Sequence, residues 1–408
     1  MLKKILIVST FAPPAISGAP LMAYNLLRYF PRDSFAILTS HAGLNTRIAA
    51  NGPKLNAKYF FFDTPGLAAQ PLQENRFFLR LKRFASRHPW LRDILHFLSV
   101  FYLPYNIVIR GRKIIQDEHI EHLFAYSDYG PALLAVYLLH RLTKKPFSLH
   151  FYDLYYGNNL LWFFGAIARY LEPRLFRTAA HISATCESLA DHYQAEYGRE
   201  VSVIRNAIPI DSCDRPQPPE SHAQPYKIVY TGTIVWAQAG AIRNLVKAAN
   251  SISDYKVIVY LYTPHEDRFL ESRGFCQSET LVFAHGLPRE MPAIQKSADI
   301  LFTGLSFETA HPLLINTSSP GKTCEYMISG RPILLHAPQE SYIARYAQRH
   351  GFACVVDRND VDSLKRAIER LISDGEYRKQ LVSNAWTTAL ANHNAEEVSA
   401  TFQRCLQG

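Results

Sequence analysis

Short runs of apolar residues alternate with longer amphipathic stretches along the whole chain. In the first half the runs are KKILIVST (3–10), SFAILTS, AKYFFF, EHLFAYS, KPFSLHF, AHISAT and VSVIRN. Helical patterns separate them, the first from about Ala19 to Phe30. Continuous apolar runs of strand length set between helices predict strands buried on both faces of a parallel sheet. A proline-rich stretch without periodicity, PIDSCDRPQPPESHAQP (209–225), then breaks the pattern and reads as a linker. A second set follows: YKIVYTG, YKVIVYLY, TLVFAHG, ADILFTG, RPILLHA and FACVVD, with closing helices that start near Asp360 and Asp374. The predicted fold class is α/β, with two Rossmann-like parallel-sheet domains of similar size, 1–208 and 226–391. Residues 392–408 are expected to form a terminal helix that packs back toward the first domain. Ligands in open parallel sheets bind beyond the carboxyl ends of the strands, so the two domains are expected to face one another across a cleft.

Composition narrows this picture only a little. With 48% hydrophobic and 19% charged residues in 408, the chain is a folded globular protein rather than a disordered one. A net charge of +9 favours acidic partners, among them nucleotide-sugars, nucleic acid and anionic lipid, without choosing between them. The six cysteines (186, 213, 276, 324, 354 and 405) include no Cys-x-x-Cys pair, which points to a reducing compartment and away from a structural zinc. In MLKKILIVSTFAPP the apolar core is only Ile5 to Val8 and no small-residue cleavage site follows, so the stretch reads as a first strand rather than a leader. No apolar run approaches the ~18 residues that a membrane span needs. The expected location is cytoplasmic, with room for peripheral contact on the inner face of a membrane.

Several chemistries are excluded by their missing motifs. The loop after the first strand, STFAPPAISGAP, holds a single glycine, Gly18, and the loop after the first strand of the second half reads TGTIVWAQAG. Neither carries the Gly-x-Gly-x-x-Gly of a dinucleotide-binding turn. No Gly-x-Ser-x-Gly elbow occurs. The one Asp-x-Asp, Asp360-Val361-Asp362, directly precedes SLKRAIERLI and reads as a helix cap with an acidic first turn, not a metal-diphosphate site. Gly321-Lys322-Thr323 has the tail of a Walker A loop. Asn316 stands where the first glycine belongs, however, and Pro320 lacks the N–H that such a loop needs.

The order of segments in the second half carries a resemblance. YTGTI, NLVKAA, VFAHGLPREMPAIQKSADILF, SSPGKTCEYMISGRPIL and VVDRNDVDSLKRAIERLISD succeed one another as in the donor-binding half of retaining GT-B glycosyltransferases of family 4. In the first half, ILIVSTFAPPAISGAP resembles the first strand and glycine loop of that family. HISATCESLADHY with VSVIRNAIPID resembles the end of its acceptor half. The resemblance implies that Glu325 accepts hydrogen bonds from a nucleotide ribose. It also implies that Gly18 lies under the donor phosphate, and that Gly286 and Leu287 meet the base through main-chain groups. Ser319 is read as an N-cap, with Pro320 in the first turn and Gly330 ending the helix. The N–H groups of Ser319, Gly321 and Lys322 would then aim at a diphosphate, with Ser318, Gly232 and Thr233 beside them. The chain departs from the family at three places. Thr317 stands where a second glutamate usually touches the donor sugar. Thr233 and VWAQAG replace the usual Arg and Lys, leaving Lys322 or Arg243 as substitutes, although Arg243 also reads as a solvated helix residue. Tyr152, not His, precedes Asp153; His150 lies two residues earlier and either reaches the site or is a satisfied buried histidine.

The activity so implied is a hexosyl transfer with retention, from a UDP- or GDP-sugar to a glycan or lipid-linked acceptor, in surface polysaccharide or glycoconjugate assembly. It needs no metal, no side-chain nucleophile, no cofactor beyond the donor and no nucleic acid. The alternative is a catalytically silent subunit that binds a nucleotide-sugar or glycan; a nucleotide-sugar epimerase is a weaker third reading. Residues 76–103 bear on the acceptor. Arg76, Arg80, Arg83 and Arg87 form a basic stripe beside Phe77, Leu81 and Phe84, and a second apolar face runs from Leu91 to Phe101. The stretch fits either a helix on an anionic membrane surface or an ordinary amphipathic helix on the sheet.

Overall fold

The computed structural model describes residues 3–13, 18–40, 54–62, 89–127, 130–158, 162–210 and 224–407, with the backbone alone for 89–101 and 162–164. The chain divides into two units, Met1–Arg205 together with Glu396–Gly408, and Asn206–Ala395. All thirteen apolar runs named above form strands, because each is an unbroken apolar segment flanked by turn residues. Residues 211–223 of the expected linker, and 76–88 of the basic amphipathic stretch, lie outside the described residues.

In the first unit the elements are β1 (Ile5–Val8), α1 (Ala19–Leu27), β2 (Phe35–Ser40), β3 (Lys58–Phe62), α2 (Pro89–Asp117) and β4 (His122–Tyr126). They continue with α3 (Pro131–Thr143), β5 (Phe147–Phe151), α4 (Trp162–Thr178), β6 (His181–Ala184), α5 (Glu187–Tyr197) and β7 (Ser202–Val203). The sheet order is β3-β2-β1-β4-β5-β6-β7, with every pair parallel.

The second unit holds β8 (Tyr226–Thr231), α6 (Trp236–Asn250), β9 (Val257–Tyr262), α7 (Asp267–Ser272), β10 (Leu281–Ala284), α8 (Met291–Lys296) and β11 (Ile300–Gly304). After these come α9 (Pro312–Asn316), α10 (Lys322–Met327), β12 (Ile333–His336), α11 (Tyr342–His350), β13 (Ala353–Val356), α12 (Val361–Ser373) and α13 (Gly375–His393). Its order is β10-β9-β8-β11-β12-β13, again all parallel. Each sheet reverses direction of growth once, at β1/β4 and at β8/β11. Such switch points leave a crevice at the carboxyl ends of the strands, where ligands settle.

The last helix, α14 (Ala395–Gln407), packs on the first unit. Its Phe402 is fully buried with Ile5, Ile7, Leu26 and Phe124, and its ring meets that of Phe124 edge-on at 5.2 Å. Burial of a phenylalanine side chain contributes about 1.5–3 kcal/mol, enough to hold a terminal helix in place. Asp360 caps α12, its carboxylate accepting from the N–H groups of Asp362 (3.3 Å) and Ser363 (2.9 Å). The lone Asp-x-Asp is therefore a helix start. Among the described residues no helix is long and apolar enough to cross a membrane.

Candidate functional site

The second unit concentrates its polar chemistry at the carboxyl end of β8. Gly232, the first residue past the strand, has φ +117, a conformation that strains any other residue. Its N–H donates to the Tyr262 carbonyl at 2.8 Å. A β-carbon there would stand 3.1 Å from Lys322 Nζ, so the glycine leaves the lysine its place. Lys322 Nζ in turn lies 3.7 Å from the centroid of the buried Tyr230 ring, a cation–π contact. The Tyr230 hydroxyl donates to the Thr233 carbonyl at 2.5 Å and fixes the loop that follows. On the next strand position, the Thr231 N–H donates to the Tyr326 hydroxyl at 2.9 Å, and Thr231 Oγ1 shares a second hydrogen bond with that hydroxyl at 3.0 Å. Tyr326 belongs to α10, and so the strand end and the Lys322–Glu325 turn are locked together.

Glu325 is held from the other side, where Gln295 Nε2 of α8 donates to its Oε2 at 2.8 Å. Lys322 and Glu325 are both half-buried. Burial pulls the Lys322 ammonium down to about 7, with Glu325 acting in the opposite direction. Burial raises the Glu325 carboxyl, while the Gln295 hydrogen bond and Lys322 partly offset it. A cation resting on an aromatic ring, beside a carboxylate aimed past it, suits a ligand that brings an anion and hydroxyl groups together.

Several expectations change here. α10 begins at Lys322 with Gly321 as its N-cap and no side-chain cap, so Ser319 does not cap the helix. The Ser319 carbonyl accepts from Asn206 Nδ2 at 2.9 Å. α10 has six residues, and the cation Lys322 is its first. Thr317 is buried, and its hydroxyl donates back to the Leu313 carbonyl at 2.8 Å, a structural role at the end of α9. Arg243 is exposed on α6, its guanidinium 6.0 Å from the Phe275 ring centre, and does not join Lys322. Gly286 packs so tightly that a β-carbon would stand 2.6 Å from Ile294 Cδ1 and Met291 Cε. The N–H and C=O of Leu287 both bond Glu290, so its main chain is engaged in closing the turn.

A buried network that sequence reasoning missed backs this turn. Cys324 Sγ lies 3.3 Å from His393 Nδ1 and 3.5 Å from the Asn206 carbonyl. His393 Nδ1 is 2.8 Å from that same carbonyl, and its Nε2 is 3.0 Å from the Tyr346 hydroxyl. One proton arrangement satisfies all of them: Nδ1–H donates to Asn206, and the tyrosine donates to Nε2.

In the first unit, Gly18 sits at φ +59 as the N-cap residue of α1, with open space where a β-carbon would go. His150 is 2% exposed in β5, its Nδ1 bonded to Ser183 Oγ at 2.9 Å and its ring packed against Tyr126, Tyr152 and Phe402. Of its two readings the structure supports the buried, satisfied histidine, and burial drives its pKa down to about 3. Asp153 is exposed in the turn after β5. That turn is held by the Tyr155 N–H on the Tyr193 hydroxyl (2.9 Å) and the Tyr156 N–H on Glu172 (2.9 Å).

Residues 16–212 match the family model described as Glycosyltransferase Family 4. Among solved structures, the chain resembles Anabaena HepE in complex with UDP-glucose, with a TM-score of 0.70 at 13% identity over 99% of both chains. Sucrose-phosphate synthase from Thermosynechococcus elongatus gives 0.67 at 12% identity over 98% of both. The trehalose 6-phosphate synthase of Burkholderia multivorans gives 0.65 at 11% identity, covering 100% of this chain and 98% of the other. No curated protein sequence matches.

Proposed function

We propose that this chain, whose residues 16–212 match the model described as Glycosyltransferase Family 4 and whose two units carry the GT-B fold, transfers a sugar from a UDP- or GDP-sugar to a glycan or lipid-linked acceptor. The observation that carries this reading is the Lys322 ammonium seated on Tyr230 beside Gly232, with Gln295 holding Glu325 behind it. Lys322 meets the charge that develops on the leaving diphosphate, a preorganised electrostatic contact. Glu325 accepts from the ribose hydroxyls. Transfer with retention, assisted by the leaving phosphate itself, then needs no side-chain nucleophile and no cofactor beyond the donor. The binding of UDP-glucose by Anabaena HepE supports a nucleotide-sugar as the ligand. A role in surface polysaccharide or glycoconjugate assembly, at the cytoplasmic face of a membrane, follows from the same reading.

Thr317 favours a second reading, a binding subunit without turnover, since its hydroxyl is committed to Leu313 where the family usually presents a sugar-contacting carboxylate. A panel of UDP-, GDP- and ADP-sugars separates the two. Release of nucleoside diphosphate with one donor, lost in Lys322→Ala and Glu325→Ala, supports the transferase. Thermal stabilisation by a donor without any release supports the silent subunit.

A further inference from the structure

Two neighbouring helices of the first unit expose apolar residues that their own packing does not use. α2 buries Pro104, Ile107, Gly111 and Ile114, one stripe at helical spacing. Tyr102, Tyr105 and Ile109 stand on the opposite side, 44%, 63% and 51% exposed. The exposed Arg112 and Lys113 follow on the next turn of that outer face. α3 lies directly alongside, since a β-carbon on Gly111 would come within 2.8 Å of Leu139 Cδ1. It exposes Leu138 and Leu142 (37% and 60%), with the exposed cations Arg141 and Lys144 beside them. Neither Asp nor Glu occurs in 94–116 or 131–145.

A single exposed leucine or tyrosine needs no explanation. Five on two packed helices, interleaved with cations and no acid, form a pattern with a chemical meaning. We propose that the outer face of α2 and α3 docks on an anionic lipid surface. The tyrosines suit the headgroup level, the aliphatic side chains enter the acyl boundary, and the cations meet the lipid phosphates. A nucleic acid or acidic protein would use the cations and leave Ile109, Leu138 and Leu142 without a role. A second copy would set like charges against each other.

A membrane surface would hold a lipid-linked acceptor, and in this respect the inference rests on the proposed function. A helix in a β–α–β crossover runs back along its strands, so Tyr105 to Lys113 in the second half of α2, and Leu138 to Lys144 at the end of α3, lie toward the amino edge of the sheet, away from the carboxyl edge that carries Gly18 and Asp153. With 29 residues, α2 is about 43 Å long against about 17 Å for the five-residue β4, and it overhangs the sheet.

The full chain is tested by co-sedimentation with phosphatidylcholine vesicles, with and without phosphatidylglycerol. The parent should pellet with the anionic vesicles and progressively less as salt is raised. Joint Arg112→Glu, Lys113→Glu, Arg141→Glu and Lys144→Glu changes should cut partitioning by at least about tenfold. Joint Tyr105→Ser, Ile109→Ser and Leu142→Ser changes should do the same, by about tenfold, with the melting temperature unchanged because these side chains are exposed. Brominated lipid should quench Tyr105→Trp more than the parent. Absence of parent binding to anionic vesicles, equal pelleting of the charge-reversed protein, or a dimer in sedimentation velocity that the serine changes dissolve would each overturn the proposal. Donor turnover is read separately as nucleoside diphosphate release. Vesicle binding without turnover removes the proposed function and leaves the docking face standing; turnover without vesicle binding does the reverse.

Discussion

Lys322 holds its ammonium 3.7 Å from the centre of the Tyr230 ring, and Gly232 leaves that place open by lacking a side chain. Lys322 is the first residue of α10, whereas Tyr230 lies on β8, in the middle of the second unit's sheet. Their contact therefore depends on the whole αβ packing of that unit. It brings a cation to a strand end where the sequence has no Arg or Lys of its own.

The first consequence is a pH dependence of donor binding. In the free protein burial brings Lys322 down to about 7. A diphosphate beside it favours the charged form, so above that pH the complex holds a proton that the free protein has begun to lose. Affinity for the donor should be flat below about pH 7 and weaken above it, by up to about tenfold per pH unit. Lys322→Met should bind more weakly and show no such slope. Calorimetric titration in buffers of different ionisation enthalpy reads the proton uptake directly, and a parent affinity that ignores pH would sink the assignment.

Gly232→Ala tests the space that the glycine provides. The φ of +117 costs an alanine about 1 kcal/mol or more in stability. The new β-carbon also displaces the Lys322 ammonium, so donor affinity should fall by about tenfold to a hundredfold, the worth of a charge-assisted contact. Gly274→Ala is the control, because φ there is +82 with nothing near a β-carbon. It should lose stability alone. Equal donor affinities in the two variants would show that the space beside Lys322 does not matter.

Glu325 and Gln295 act as a pair. Glu325→Ala should weaken nucleoside diphosphate binding by about tenfold to a hundredfold. Gln295→Glu sets two carboxylates where the Gln295 Nε2 to Glu325 Oε2 bond now lies at 2.8 Å. One of them must then take up a proton, so binding lost at neutral pH should recover as the pH falls. A Gln295→Glu protein that binds as the parent does at pH 7 would remove Gln295 from the site.

Both sheets were legible because each strand is a continuous apolar run bounded by turn residues, and the Asp360 and Asp374 caps because their chemistry is local. The failures came from contacts between distant segments. Ser319 reads as a cap, yet the helix starts at Lys322 with Gly321 as its N-cap, and the Ser319 carbonyl is held by Asn206, 113 residues away in sequence. Gln295 carries no motif, and only the fold sets it against Glu325. Period-two alternation puts His150 on one face of β5 but cannot say that Tyr126, Tyr152 and Phe402 of α14 cover that face. No short-range signal in the sequence marks any of these.

The buried histidines of the first unit predict loss of stability in acid. Burial lowers His150 to about 3 and His122 to about 4, against about 6.5 in an unfolded chain. Between those values the unfolded chain binds protons that the folded one refuses, so stability falls as pH drops from about 6.5 toward about 4. Each histidine contributes a slope of about 1.4 kcal/mol per pH unit within its window. Urea midpoints across that range should therefore fall less steeply for His122→Gln than for the parent. Parallel slopes would show that His122 takes up a proton without cost.

His393 should be the most sensitive single position in the second unit. Its ring reaches the Asn206 carbonyl at 2.8 Å and the Tyr346 hydroxyl at 3.0 Å, with Cys324 Sγ at 3.3 Å. His393→Ala removes one hydrogen bond each from the Asn206 carbonyl and the Tyr346 hydroxyl, which keep Cys324 and Asn392, at about 0.5–1.5 kcal/mol each. The loss should also be directional. Cys324 immediately precedes Glu325, and Asn206 holds Ser319, so loosening this network releases the turn that carries Lys322. Cys324 is buried, and its native-state alkylation should speed up by about tenfold or more in His393→Ala as that turn opens locally. Cys324→Ser in the same background identifies the labelled thiol. Donor affinity should weaken together with the faster labelling. Destabilisation with unchanged labelling and unchanged affinity would confine His393 to ordinary packing and cut its link to the Lys322 turn.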